Sequence, residues 1–251
     1  MDLGLTDRVY LVTGGTRGLG AATARALVDD GARVVVSSRD QASVDASVAD
    51  LGERAIGLVA DNADPAAPGL LLDAARSKWG RVDGALVSVG GPPPGKPSEV
   101  DDDAWRAGFD SVFLGGVRLC REVAAALGHG GSIALVLSTS VRNPIPGLAV
   151  SNGLRPGLAM FAKDLADEVG ARGIRVNGLL PGRIATDRVQ ELDEATGDPA
   201  AAKARQLESI PLGRYGEPDE FGRVAAFVLS PAASLLTGVM LPVDGGISRS
   251  L

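Results

Sequence analysis

A single cysteine and a single histidine occur among the 251 residues. Cys120 has no partner for an internal disulfide, and without clustered His and Cys side chains no metal site is expected. Basic charge is in deficit. The 25 Lys and Arg against 31 Asp and Glu leave a net charge of −6, which argues against nucleic acid or an anionic membrane as partner. Long apolar runs are missing, so no segment reaches the length of a membrane span. The N-terminal MDLGLTDR lacks the basic and hydrophobic regions of a signal peptide, and the expected location is cytoplasmic. No Pro/Ser-rich or charged linker divides the chain, so 1–251 is read as one α/β domain. Aromatic residues amount to 4%. Both tyrosines read as structural, Tyr10 inside an apolar run and Tyr215 in the turn GRYGEP.

What the chain does have is alternation. Short, nearly continuous apolar runs lie at 8–13, 32–38, 54–60, 83–89, 131–138, 174–180 and 238–246, as expected of strands covered on both faces. Helical segments are expected between them at 18–30, 41–51, 65–79, 101–128, 150–171 and 217–229. This repetition predicts βαβ crossovers and a doubly wound parallel sheet with helices on both faces. The Ala-rich, polar stretch 186–210 breaks the rhythm. It is read as a mobile helical insertion over the C-terminal edge of the sheet, where such folds bind ligands.

TGGTRGLG, residues 13–20, follows the first strand and opens the first helix. In that context Gly14 permits a tight turn, Gly18 lets backbone approach a phosphate, and Gly20 allows close helix packing. The helix start offers free N–H groups and a positive dipole end. This predicts nucleotide binding. A carboxylate at the end of the second strand would select NAD(H) by bonding the ribose 2′-hydroxyl. Ser38-Arg39 stands there instead, with Arg17 in the glycine loop, and two guanidiniums with a hydroxyl suit a 2′-phosphate. NADP(H) is the preferred cofactor, with NAD(H) possible, the lesser alternative being that Arg39 merely faces solvent.

TGGTRGLG, the Asp61-Asn62 pair, PGRIATD (181–187) and the tail IPLGRYGEPDEF…LTGVMLPVDGG together resemble the short-chain dehydrogenase/reductase family over essentially the whole chain. The nearest type is its 3-oxoacyl-carrier-protein reductase-like branch, on GGPPPG (90–95) and PIPGLAVSNGLR. The resemblance implies a Rossmann-type sheet of about seven strands and a homo-oligomer, tetramer or dimer. It implies a cofactor site of Gly14, Thr16, Arg17, Gly18, Leu19 and Gly20 with Ser38 and Arg39. Asp61 and Asn62 would meet the adenine and Gly90 the ribose side, with Pro181, Gly182, Ile184 and Thr186 at the nicotinamide amide.

The family's usual chemistry needs a Tyr, a Lys four residues on, and a Ser thirteen residues before the Tyr. Alignment on Lys163-Asp164-Leu165-Ala166 and on Arg175-Val176-Asn177 puts Ser151 at the Tyr position and Arg155 at the Lys position. Ser138 is kept, and Val112 replaces the supporting Asn. An aliphatic hydroxyl is a far weaker acid than a phenol, and a guanidinium is expected to stay protonated to about pH 12. Arg155 can still donate to the nicotinamide ribose and place charge beside a developing alkoxide. Ser138 and Ser151 can hydrogen-bond a substrate carbonyl. The catalytic candidates are therefore Ser138, Ser151 and Arg155.

The remaining polar groups read as bland. His129 lies in a turn before the fifth strand, away from the cofactor edge, and Cys120 packs mid-helix. Arg118 and Glu122 form a solvated helix pair. Arg142, Asn143 and Asn152 flank the pocket and Arg183 and Arg188 adjoin the insertion, either to hold an anionic or polyhydroxylated substrate or to dress a polar rim. Two functions stay open. One is hydride transfer between NADP(H) and a small carbonyl or alcohol substrate. The other, motivated by the lost Tyr, Lys and Asn, is NADP(H) binding without turnover, as a sensor or partner subunit; non-redox chemistry on the same scaffold takes the remainder.

Overall fold

The seven apolar runs become seven strands in a computed structural model that describes residues 2–250. They are Val9–Thr13 (β1), Arg33–Ser38 (β2), Ala55–Val59 (β3), Gly84–Ser88 (β4), Ser132–Val136 (β5), Arg175–Pro181 (β6) and Met240–Val243 (β7). All neighbours pair parallel, in the order β3-β2-β1-β4-β5-β6-β7. The central strands are buried on both faces, β1 and β5 along their whole length. That is why they read as unbroken apolar runs instead of alternating ones.

The helices are Gly18–Asp29 (α1), Gln41–Leu51 (α2), Ala67–Trp79 (α3), Asp102–Gly108 (α4), Gly115–Ala126 (α5), Ala149–Gly170 (α6), Asp187–Glu194 (α7), Pro199–Ser209 (α8) and Pro218–Leu229 (α9). Local chemistry starts several of them. Asp40, Asp101 and Asp198 accept hydrogen bonds from backbone N–H groups in the first turns of α2, α4 and α8. Glu217 and Glu220 form a reciprocal cap on α9. Leu71, Leu119 and Leu158 of α3, α5 and α6 fill one face of the sheet, while Leu27 of α1 and Phe221 of α9 fill the other. Burying each such side chain contributes about 2 kcal/mol.

One expected helix changes. The helix expected at 101–128 is interrupted by a π-helical turn, Phe109–Leu114, between α4 and α5. At its end Gly115 packs so close to the loop after β3 that a Cβ there would lie 2.3 Å from the Asn62 carbonyl oxygen. The residues 186–210 hold two defined helices, α7 and α8.

Buried Arg175, at the start of β6, donates to the carbonyls of Val228, Leu229, Ser230 and Leu236. A cation thereby satisfies the last carbonyls of α9, the negative end of that helix. The strand order reverses between β1 and β4, so the loops leaving their C-terminal ends diverge and open a crevice. No helix among the described residues is long and apolar enough to cross a membrane.

Candidate active site

The glycine loop leaves β1 at that crevice. Gly14 and Gly18 both take positive φ, +57° and +52°, where a side chain would be strained. A Cβ on Gly20 would fall 2.1 Å from the Gly14 carbonyl oxygen, so this glycine permits the turn to fold against its own helix. Arg17 precedes the first turn of α1 in extended conformation and is exposed. Thr16 and Leu19 are half-buried beside it. Ser38 ends β2 half-buried, and Arg39 is exposed on the rim of a hollow of about 350 Å³ that Asp61 and Leu70 also line. The next residue, Asp40, is held below the usual carboxylate range by hydrogen bonds from Ser43. It is tied to its own helix.

Asn62 Nδ2 donates to the Ser88 carbonyl at 3.2 Å, bracing the loop after β3 against β4. Gly90 lies exposed, with open space where a Cβ would be. Pro181 ends β6 and Gly182 follows it beside Asp244; a Cβ on Gly182 would lie 2.7 Å from the Asp244 Cα. Ile184 is buried in the core, and Thr186 caps α7 by accepting from Val189 N at 3.4 Å.

Ser151 and Arg155 lie one turn apart on α6, both 6% exposed. The partner of Ser151 is a residue the sequence reading missed: Ser140, whose Oγ lies 3.4 Å from the Ser151 Oγ. Ser138 turns its Oγ to accept from Ser140 N at 3.0 Å, capping the short turn after β5, and keeps its O–H to donate. The adjacent motif STS was visible, but which of its hydroxyls meets α6 depends on that turn.

Arg155 Nη1 donates to the Val136 and Leu137 carbonyls, at 2.8 and 3.0 Å, where β5 ends. The guanidinium is thus fixed beneath the crevice. Burial, and then the like charge of Arg188, push its pKa down to about 10, below the expected 12. Val112, at the position expected for the supporting Asn, is buried and offers no polar group.

The flanking residues sort by their partners. Arg142 donates to the Met240 and Ser250 carbonyls and pins the C-terminal tail. The Asn152 amide is spent on Ile145, donating to its carbonyl and accepting from its N–H. Arg183 pairs with buried Asp193, which also accepts from the Tyr215 hydroxyl at 2.9 Å. Arg188 on α7 reaches the Pro92 carbonyl at 2.7 Å. The expected Arg118–Glu122 pair does not form: Arg118 donates to the Ala63 carbonyl, and Glu122 lies 3.7 Å from Arg121. No cluster of metal-ligating side chains occurs among the described residues.

The comparisons with known proteins agree with this arrangement of loops around a parallel sheet. Residues 14–248 match a family model described as enoyl-(acyl carrier protein) reductase. A cis-4-hydroxycyclohexanecarboxylate dehydrogenase from Sinomonas cyclohexanicum is 34% identical over 253 residues, covering 98% of both chains. The crystal structure of 3-ketoacyl-(acyl-carrier-protein) reductase from Brucella melitensis, complexed with NADH, has 30% identity and a TM-score of 0.86 over 97% of this chain and 99% of that one. L-Sorbose reductase from Gluconobacter frateurii, complexed with NADPH and L-sorbose, has 27% identity and a TM-score of 0.90 with both chains fully covered. Sequence and fold over nearly the full length therefore place this chain in the short-chain dehydrogenase/reductase family.

Proposed function

We propose that this protein is an NADP(H)-dependent oxidoreductase that interconverts a small carbonyl compound and its alcohol at Ser138, Ser151 and Arg155, with Ser140 as a further member of the site. Burial of the Ser151 hydroxyl and the Arg155 guanidinium, one helical turn apart at the end of β5, carries the reading. A hydroxyl and a cation held in a water-poor crevice are what a developing alkoxide needs.

The groups that would hold the cofactor fit it. The turn at Gly14 to Gly20 leaves backbone N–H groups of the α1 start for a pyrophosphate. Exposed Arg17 and Arg39, with Ser38, suit the 2′-phosphate. The hollow lined by Arg39 and Asp61 suits the adenine, and open Gly90 the ribose side. Pro181, Gly182, Ile184 and Thr186 would serve the nicotinamide amide through backbone and hydroxyl groups. When bound, the nicotinamide supplies or accepts the hydride. Ser138 and Ser151 donate hydrogen bonds to the carbonyl oxygen, and Arg155 lends it positive charge. The proton that completes the alcohol arrives from water through the Ser151 and Ser140 hydroxyls; oxidation runs the same path in reverse. The helices α7 and α8 act as a lid on the substrate side of a single NADP(H)-binding domain. Exposed Phe109 and the hollow it shares with Trp105 and Leu154 support homo-oligomer formation along α4 to α6.

Relatives named for dehydrogenase and reductase activities support turnover over binding alone. The test is NADPH oxidation against a panel of ketones and aldehydes, with NADP⁺ reduction against the matching alcohols. NADPH binding without turnover of any member, under conditions where a related reductase turns over the panel, would overturn the reading.

A further inference from the structure

The helices α7 and α8 pack on each other and only sparsely on the other helices and strands. A helix that docks on a protein body normally buries an apolar stripe. The one buried residue of α7 is instead a carboxylate, Asp193, and α8 buries only Ala202. What holds this pair of helices is therefore largely polar. Asp193 Oδ1 accepts from Arg183 Nη1 at 3.2 Å, and its Oδ2 accepts from the Tyr215 hydroxyl at 2.9 Å. Both donors belong to one braced unit, because Gly216 N donates to the Arg183 carbonyl and Ala185 N to the Gly216 carbonyl. A carboxylate taken out of water needs such partners, so α7 seats where Asp193 meets both.

That seat carries the first turn of α7 across the crevice. In the sheet, β5 and β4 lie between β1 and β6, the strand that α7 follows. Thr186, the cap of α7, nonetheless reaches the glycine loop: a Cβ on Gly18 would lie 3.5 Å from the Thr186 Cγ2. Two residues on, Arg188 Nη2 donates to the Pro92 carbonyl, in the loop after β4, at 2.7 Å. Gly91 leaves room for it, since a Cβ there would lie 2.8 Å from the Arg188 Nε. Residues 186–188 thus run over the C-terminal ends of β5 and β4 and touch both walls of the crevice between β1 and β4. A dinucleotide in that crevice lies beneath them and leaves when they lift.

We propose that Asp193 is a positioning residue for the cofactor: by seating α7 on Arg183 and Tyr215 it keeps residues 186–188 fastened over the crevice and sets how fast NADP(H) leaves. This deepens the oxidoreductase reading and rests on it. The Arg188–Pro92 bond is the latch and Asp193 the anchor. The latch is one bond from a partly exposed guanidinium that Glu191 shares at 3.5 Å, and it opens readily. The anchor is buried and held by two donors, and it returns the segment to the same place.

The test is the release rate of NADPH from the full-length protein, followed in stopped flow by the loss of nicotinamide fluorescence on displacement with excess NADP⁺. Asp193→Asn keeps an oxygen for Tyr215 and removes the charge that faces Arg183. Release is expected to become faster by about tenfold or more, the scale of one charge-assisted hydrogen bond. Arg188→Leu is expected to speed release as well. Both changes act on one segment, so the double variant should release NADPH about as fast as the faster single one, well short of the product of the two effects. A residue that only supported the fold would lower Tm and the bound fraction while bound NADPH left at the parent rate. Should Asp193→Asn fail to fold, Tyr215→Phe removes one donor, leaves the ion pair, and carries the same test with a smaller rise expected. An unchanged release rate in the folded variant, or effects of Asp193→Asn and Arg188→Leu that multiply, would each overturn the role of Asp193 while leaving NADPH binding intact. Absence of NADPH binding to the parent overturns the oxidoreductase reading, and this inference with it.

Discussion

The pH dependence of turnover separates this site from one built on a phenol and an amine. Aliphatic hydroxyls do not ionise between about pH 6 and 10, and both tyrosines, Tyr10 and Tyr215, are pushed up to about 12, chiefly by burial. The buried thiol of Cys120 is also pushed up to about 12. Arg155 is the site group that burial brings closest to the working range, down to about 10. Its charged form is the useful one, so rate should stay level through neutral pH and fall as pH rises toward 10. Against that background, Ser151→Ala removes one donor from the reacting oxygen. Such a donor is worth roughly 3–4 kcal/mol at most, about two to three powers of ten in kcat. Ser140→Ala breaks only the long 3.4 Å contact and should cost about 1 kcal/mol, five- to tenfold. Arg155→Lys places a readily shifted amine in the same dry pocket and should move the fall in rate to lower pH. The assay is steady-state NADPH oxidation across the pH range, with folding of each variant checked by circular dichroism. A clear ionisation midpoint near pH 7–8 in the parent, or unchanged kcat in Ser151→Ala, would refute the assignment of chemistry to this helix start.

Replacing Arg39 by Asp should reduce or reverse a preference for NADPH over NADH of about 2–4 kcal/mol, the scale of a few charge-assisted bonds; equal affinity of the parent for both nucleotides by fluorescence titration would contradict this. Salt should weaken the preference, since Arg39 is exposed. Arg175→Met leaves the carbonyls at the end of α9 without their donor and should cost about 3 kcal/mol, lowering Tm by about 6–12 °C; a melt within about 2 °C of the parent would show that water replaces the guanidinium at little cost. Light scattering should return a closed homo-oligomer, and a 25.5 kDa monomer at micromolar concentration would argue against pairing along α4 to α6.

The apolar runs were enough to locate every strand, because a strand covered on both faces must be apolar at successive positions. Glycine spacing was enough for the tight turn from β1 into α1, because Gly20 packs against Gly14 as only a residue without Cβ can. Patterns of that kind are local, set by one element's own sterics and solvent exposure. Pairings across elements were not legible. The Arg118–Glu122 pair had ideal helical spacing, yet Arg118 found the Ala63 carbonyl on another segment. Asn62 was read for its place near a ligand, and its bracing of β4 through the Ser88 carbonyl was not foreseen. Ser138, Ser140 and Ser151 are separated by fixed distances along the chain, but the short turn after β5 decides that Ser140 meets Ser151. Arg155 makes the same point through charge. The sequence supplies a guanidinium, while its carbonyl anchors on β5 and its burial exist only once distant segments pack, and those surroundings bring its pKa down to about 10.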